Sequence, residues 1–460
     1  MPRVLVVTYP WLPQFNGSVK HVANLCRYLP GTGWEPLILT KDWSEGPAAE
    51  DAWMHLSVPP VDAPPALKFA AALHVVRAPY ALRDNRWLRH EARLAAVTAG
   101  AHPLAPKALE RRALSAAAPF YGHYPDMHRG WVEPAIAAGV TAVRQYGIGA
   151  VLSVCPPASA HLVGGEISRR AGVAWVTLFA DLTAFYQGPG DGRSWAERWK
   201  HRMLNRQWLQ GASRAACTSL NMSDYVRDTY AITGEVIVSP FDPDERRIAP
   251  HRETDAPLRV VHTGALSPEE DRPEVLFDAL DHAVASGSLD VNGVRVELVG
   301  SGCEVWMTEQ LAGRPCAAMV HVVARVSPAD AIRMQREADL LLLFTRRDAV
   351  ARATGLELTY PSKIFEYLNA LRPTIAIAAD ASGFVGRLLS ETNAGHTAED
   401  ALSLSAVLLD YQTELRTRGH ITFRGDESAI ARYGAPEQAK RLASLLDAAS
   451  AERFGSWQRA

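Results

Sequence analysis

Short, unbroken apolar runs alternate with helical patterns from one end of this 460-residue chain to the other. The first half carries "RVLVVTYP", "PLILTKD", "GAVLSVC", "AWVTLFAD", "AACTSL" and "EVIVSP". The second carries "LRVVHTGAL", "VRVELVGSG", "HVVARV", "ADLLLLF" and "TIAIAAD". A strand with one solvated face alternates apolar and polar residues; these runs do not, so helices must cover both faces of a parallel sheet. Helical segments such as "GSVKHVANLCRYL" lie between them, with Val19, Val22, Cys26 and Leu29 on an apolar face and Lys20, Asn24 and Arg27 on a polar one. The expected fold is α/β, two doubly wound Rossmann-like domains. Such sheets bind ligands beyond the carboxyl ends of their strands, so two of them facing each other make a cleft.

The polar, proline-containing stretch "DPDERRIAPHRETDAP" has no periodicity and reads as a linker over 242–257. It separates a first domain, 1–241, from a second, 258–440, with a C-terminal helix and tail over 441–460. Segment 43–125 is read as an insertion in the first domain that lacks strands, with "RWLRHEARLAAVTAG" and "PKALERRALSAAAPF" as Arg- and Ala-rich helices. A formal net charge of −2 gives no bulk attraction for nucleic acid. The five cysteines form no metal-binding spacing and read as reduced thiols of a cytoplasmic protein. The start, "MPRVLVVTYPWLP", has too short an apolar run for a signal segment, and no run approaches the ~20 apolar residues of a spanning helix. Peripheral membrane contact stays open.

Four stretches carry the chemistry. In "TYPWLPQFNGSVKHV" a strand ends near Thr8 and a helix begins after Asn16-Gly17-Ser18. Its free N–H groups offer either an anion-binding turn or a plain capped one. Gly300-Ser301-Gly302 follows a buried strand and either approaches a ligand or turns the chain. In "TGALSPEEDRPEVLFDAL", Arg272 puts a cation at a helix start, where the dipole prefers an anion; it serves a phosphate or pairs with Glu269 or Asp271. In "YPSKIFEYLNALRPTIAIAAD", Lys363 stands in the first helical turn with Glu366 one turn on, the less favourable order for a helical pair. Ile364, Phe365, Leu368 and Leu371 fill the other face. Either Lys363 and Glu366 are an exposed ion pair, or an external anion sits near Lys363.

Taken in order across two α/β domains, these stretches resemble the GT-B glycosyltransferases, most closely the retaining family 4. The resemblance spans nearly the whole chain and is most specific in "FNGSVKHVANLCRYLPGTGWEPLILT", "ARVSPADAIRMQREADLLLL" and "PSKIFEYLNALRPTIAI". It implies that Glu366 holds the ribose of a donor nucleotide and that Arg272 and Lys363 face its diphosphate, beside backbone N–H groups near Ser362. Gly17 would border the diphosphate and Gly264 the donor, and the segment Val323 to Val326 would contact the base. Asp181, with Arg272 and Lys363, would serve catalysis, and Asn16, Asp126 and His161 would lie on the acceptor side. Asp181 read on its own is either a proton acceptor or a cap.

This sequence departs from the family pattern at several places. Leu358 stands where a second glutamate is common, with Glu357 one position off; Ala265 replaces an arginine; Ser239-Pro240 replaces Asn-Gly; Thr183 replaces an aromatic. The function implied is transfer of a sugar from a nucleoside-diphosphate sugar to a hydroxyl of a carbohydrate, lipid-linked or small-molecule acceptor. No cofactor beyond that donor is expected, and no metal, since fixed cations can replace one. A non-catalytic two-domain binding protein and a nucleotide-sugar epimerase are the alternatives.

Overall fold

The structure, a computed structural model, describes residues 1–44, 55–56, 63–80, 126, 128–182, 185, 195–247, 257–345, 360–377, 379 and 381–457. Contacts divide the chain into two compact units, one of Met1–Pro60, Ala66–Val238 and Ala439–Ala460, the other of Val61–Pro65 and Ser239–Gln438.

The first unit runs β1 (Arg3–Val7), β2 (Gln14–Phe15), α1 (Gly17–Tyr28), β3 (Glu35–Lys41), β4 (His55–Leu56), α2 (Pro65–Ala72), β5 (Val75–Ala78), α3 (Arg129–Tyr146), β6 (Ile148–Cys155), α4 (Ser159–Ala171), β7 (Ala174–Phe179), α5 (Trp195–Leu209), β8 (Arg214–Cys217), α6 (Leu220–Tyr230) and β9 (Gly234–Val236). Its seven-stranded sheet has the order β5-β3-β1-β6-β7-β8-β9, every pair parallel. The order reverses direction between β1 and β6, which opens the crevice beyond their carboxyl ends.

The second unit runs β10 (Leu258–Thr263), α7 (Pro268–Asp271), α8 (Glu274–Ala285), β11 (Val294–Val299), α9 (Glu304–Leu311), β12 (Val320–Val323), α10 (Pro328–Glu337), β13 (Leu340–Phe344), α11 (Lys363–Ala370), β14 (Thr374–Ile377), α12 (Phe384–Thr392), β15 (Gly395–Ala398), α13 (Ala401–Arg418) and α14 (Glu427–Ala431). Its six strands are parallel in the order β12-β11-β10-β13-β14-β15, with the reversal between β10 and β13. A last helix, α15 (Ala435–Trp457), belongs to the first unit from Ala439 on, where Asp447 accepts from Trp34 Nε1 at 3.0 Å and Glu452 pairs with Arg214.

The apolar runs behave as parallel strands should. Val4 to Val7 of β1 and Leu340 to Leu343 of β13 are at most 1% exposed, because helices cover both faces of each sheet. All five cysteines are free.

One expectation is corrected. Segment 43–125 does not lack strands: β5 pairs with β3 at the edge of the sheet, and His55–Leu56 pairs antiparallel with Gln14–Phe15. These strands are four and two residues long, too short to show a period. Most of that segment, with both its Arg-rich helices, lies outside the described residues, as does 248–256 of the linker stretch. The polar face of α1 is buried too, with Lys20 9% and Asn24 1% exposed. Amphipathic spacing shows which face meets the sheet and says nothing of what covers the other. The sequence reading also passed over β15, whose "GHTA" is barely apolar.

Candidate functional site

At the switch point of the second sheet, β10 ends at Thr263 and the chain turns through Gly264. Gly264 has φ +116°, a left-handed conformation that side chains other than glycine's disfavour. It also needs the space. A Cβ built there would come within 1.9 Å of Lys363 Cε and 2.3 Å of its Nζ. The glycine therefore lets the Lys363 side chain lie along the backbone of the β10 turn.

Helix α11 places three residues on this corner, at positions i, i+3 and i+4, which share one helical face. Lys363 covers Gly264. Glu366 accepts from Gln335 Nε2 of α10 at 3.4 Å, and the same amide donates to Thr263 Oγ1 at 2.8 Å. Tyr367, fully buried, accepts the Thr263 N–H at its hydroxyl, 3.0 Å away. No ion pair closes between Lys363 and Glu366, so the exposed-pair reading is not what forms. Lys363 is half-buried. Burial lowers the pKa of its ammonium below the ordinary lysine value, Glu366 and Asp271 work against that, and Arg325 adds to it. Ser362 is the exposed N-cap residue, and its side chain makes no capping bond.

Beneath Lys363 lies His262, 2% exposed. The carbonyl oxygens of Leu342 and Gly264 stand 2.9 and 3.1 Å from its two ring nitrogens, which favours the charged ring. Burial and the nearby Lys363 charge oppose this more strongly and bring its pKa down to about 4. His262 is therefore a neutral support for the turn.

The neighbouring strand ends are laced to the same turn. Gly264 N–H donates to Val299 O at 2.7 Å, Gly300 N–H to Val323 O at 2.8 Å, and Leu266 N–H to Ser301 O at 2.9 Å. Gly300 and Gly302 both have positive φ. Val323, the last residue of β12, and Val326 beyond it are half-buried. Arg272 stands in left-handed conformation, φ 50°, between α7 and α8. Its Nε donates to Glu274 at 2.8 Å, a partner the sequence reading did not name, while its Nη1 is buried with no hydrogen-bond partner. Asp271 instead accepts the Ser267 N–H at 2.7 Å.

The first unit's corner is built differently. Asn16 Oδ1 accepts from Val19 N–H at 2.9 Å and caps α1. Gly17 begins that helix without a positive φ, and a Cβ there would meet nothing within 4 Å. Asp126 accepts from His128 N–H at 2.9 Å and from Ser159 N–H at 2.7 Å, serving as cap for α4, whose N-cap residue Ala158 has none to offer.

His161, 1% exposed, ends a buried chain of hydrogen bonds. Trp175 Nε1 can only donate, and it does so to Ser153 Oγ at 2.8 Å. Ser153 Oγ is also 2.7 Å from His161 Nδ1. If the serine proton points to Nδ1, one group is left unsatisfied; the other tautomer leaves two. The favoured form carries its proton on Nε2, which is buried without a partner, and burial lowers the pKa to about 3. In this form Nδ1 already accepts from Ser153, and Nε2 can only donate.

Asp181 follows β7, half-buried, and its carbonyl accepts from Cys155 Sγ at 3.8 Å. Glu357, Leu358 and Thr183 lie outside the described residues. The sequence reading missed His262, Gln335 and Tyr367. The spacing of Tyr367, four residues after Lys363 on the same face, was the available signal.

No protein-family model and no curated protein matches this chain. Solved structures do. A glycosyltransferase from Rickettsia africae ESF-5 is similar at TM-score 0.54 and 12% identity, covering 100% of this chain and 98% of its own. A sucrose-phosphate synthase from Thermosynechococcus elongatus gives 0.52 and 13%, covering 100% and 99%. The N-terminal domain of a trehalose-6-phosphate phosphatase from Candida albicans gives 0.59 and 13%, covering 98% and 97%. The fold is GT-B, with two Rossmann-like parallel-sheet domains. At such identities the likeness carries the fold alone. Among the described residues no group of His, Cys, Asp or Glu could hold a metal ion.

Proposed function

We propose that this protein is a nucleotide-sugar-dependent glycosyltransferase of the retaining family 4 type. The observation that carries the reading is Lys363, a half-buried cation with no ion-pair partner among the described residues, laid over a glycine turn at the switch point of the second sheet. Burial disfavours that charge, and a diphosphate would compensate it. In the reaction, an acceptor hydroxyl oxygen bonds to the anomeric carbon as the bond from that carbon to the diphosphate breaks. The hydroxyl proton passes to a base or to the departing phosphate. Lys363, the N–H groups near Ser362 and the Nη1 of Arg272 would take up the growing phosphate charge, which makes a metal unnecessary. Glu366, held by Gln335, would take the ribose hydroxyls, and the residues from Val323 to Val326 the base.

The first unit would serve the acceptor. Asp181 is the residue we assign as proton acceptor, since Asp126 is engaged in capping and His161 is a donor in its favoured tautomer. Gly17, with open space beyond it, and Asn16 would border the ligand.

A thermal-shift screen against nucleoside diphosphates tests the reading, because a ligand that binds only the folded chain raises Tm. Glu366→Ala should abolish that rise while leaving the unliganded Tm near wild type. Asp181→Asn should keep the rise and cut transfer by about a hundredfold or more. Donor consumption that needs an acceptor separates transfer from epimerisation, and absence of turnover alongside a ligand-induced rise would leave only a binding protein. Activity in the presence of a chelator should equal that without it.

A further inference from the structure

Seven large apolar residues are exposed among the described residues, and three of them fall on α5: Trp195 at 77%, Trp199 at 63% and Met203 at 49%. Their spacing of four puts them in one stripe along the helix. One flank of α5 is packed, where Asn205 and Leu209 are 1% exposed. Two exposed tryptophans in line are costly to leave in water, so the stripe implies something that covers it.

The charge around the stripe indicates what. The helix "WAERWKHRMLNRQWL" carries Arg198, Lys200, Arg202 and Arg206 against one acid, Glu197. Arg202 and Arg206 are exposed and border the stripe, and Arg206 is held in place by its bond to Thr229 O at 2.7 Å. The last turns of α5 and α6 are thus side by side, joined also by Asn205 Nδ2 to Tyr230 Oη at 3.3 Å. Helix α5 leads into the amino end of β8, and α6 leaves its carboxyl end. The N-terminal ends of both helices therefore stand at the carboxyl edge of the sheet. Leu220, 58% exposed, begins α6 at that edge.

We propose that this face of α5 lies on an anionic lipid surface. Tryptophan suits the headgroup boundary, with an apolar ring and a polar N–H. Arginines beside it keep their charge at the lipid phosphates while their stems lie along the apolar layer. A protein partner would be met more commonly by an apolar patch with a mixed-charge rim, and α5 is almost wholly cationic.

The test is sedimentation of the full chain with vesicles of phosphatidylglycerol and phosphatidylcholine, against phosphatidylcholine alone. The chain should pellet with the anionic vesicles and be released by salt. Trp195→Ala with Trp199→Ala should weaken binding by about tenfold or more, and Arg202→Ala by about fivefold. Both variants remove exposed side chains, so their circular dichroism and Tm should match wild type. A wild-type chain that stays in the supernatant, or a double variant that pellets like wild type, overturns the proposal. So does a concentration-dependent dimer in gel filtration that the double tryptophan variant abolishes, since the face would then seat a second copy of this chain.

Discussion

At the carboxyl edge of the first sheet Asn16 and Asp126 cap helices, and Ser153 and Trp175 hold His161 in one tautomer. At the same edge of the second sheet Gln335, Tyr367 and His262 are all bonded to the β10 turn, and they hold up Lys363, which forms no ion pair among the described residues. Both corners lie at a switch point of a doubly wound sheet. On the proposed reading, position in the fold selects where a ligand can bind, while a cation that burial disfavours, on a rigid support, selects what it is.

The comparison breaks most visibly in acid. His161 and His21 in the first unit have pKa values lowered to about 3 and 4, and His262 in the second to about 4, in each case first by burial. A histidine with a lowered folded pKa takes up protons more readily when unfolded. Its contribution to stability is present above pH ~6.5 and is lost as pH falls toward the folded value, amounting to roughly 3–5 kcal/mol per residue at the limit. Hydrogen exchange followed from pH 6.5 down to about 4.5, above most carboxylate titration, should show the first unit opening before the second. Simultaneous opening would remove the asymmetry in buried histidines as a cause.

The next effect is at Lys363. Replacement by alanine should slow transfer by about a hundredfold or more, as loss of a preorganised charge at the leaving group does. Lys363→Met sharpens the point. Because burial makes the charge unfavourable, the methionine protein should be at least as stable as wild type while losing diphosphate binding. It should also raise the pKa of His262, measured by NMR titration, since the Lys363 charge holds that value down. A destabilised methionine variant would mean that Lys363 is there for the fold.

Gly264→Ala should cost about 1–3 kcal/mol through its positive φ, and the added Cβ should push Lys363 off the turn and weaken diphosphate binding. Chemical denaturation and the thermal-shift response measure the two separately. The smallest effect belongs to the first corner. Asp126→Ala removes the cap of α4 and should cost ~1 kcal/mol, leaving the response to nucleoside diphosphates as in wild type. A loss of that response would erase the contrast between the corners.

The sequence by itself determined the class of fold. Continuous apolar runs such as "LLLLF" require a sheet covered on both faces, and the helices between them make it parallel. It also singled out Lys363, because a cation in the first turn of a helix conflicts with the dipole locally and no residue nearby in sequence resolves it. Only the tertiary structure decided what lies under that lysine. Gly264, Gln335 and Lys363 are far apart along the chain, and their meeting depends on strand order, which local periodicity does not encode. The same holds for Asp126, whose capping of Ser159 spans a sequence separation of 33 residues. His161 is the reverse case. Its residue type suggested a base, and the direction of one serine proton, set by a tryptophan on the next strand, makes it a donor. Hydrophobic periodicity is a property of neighbours in sequence; tautomers, caps and uncompensated charges are properties of neighbours in space.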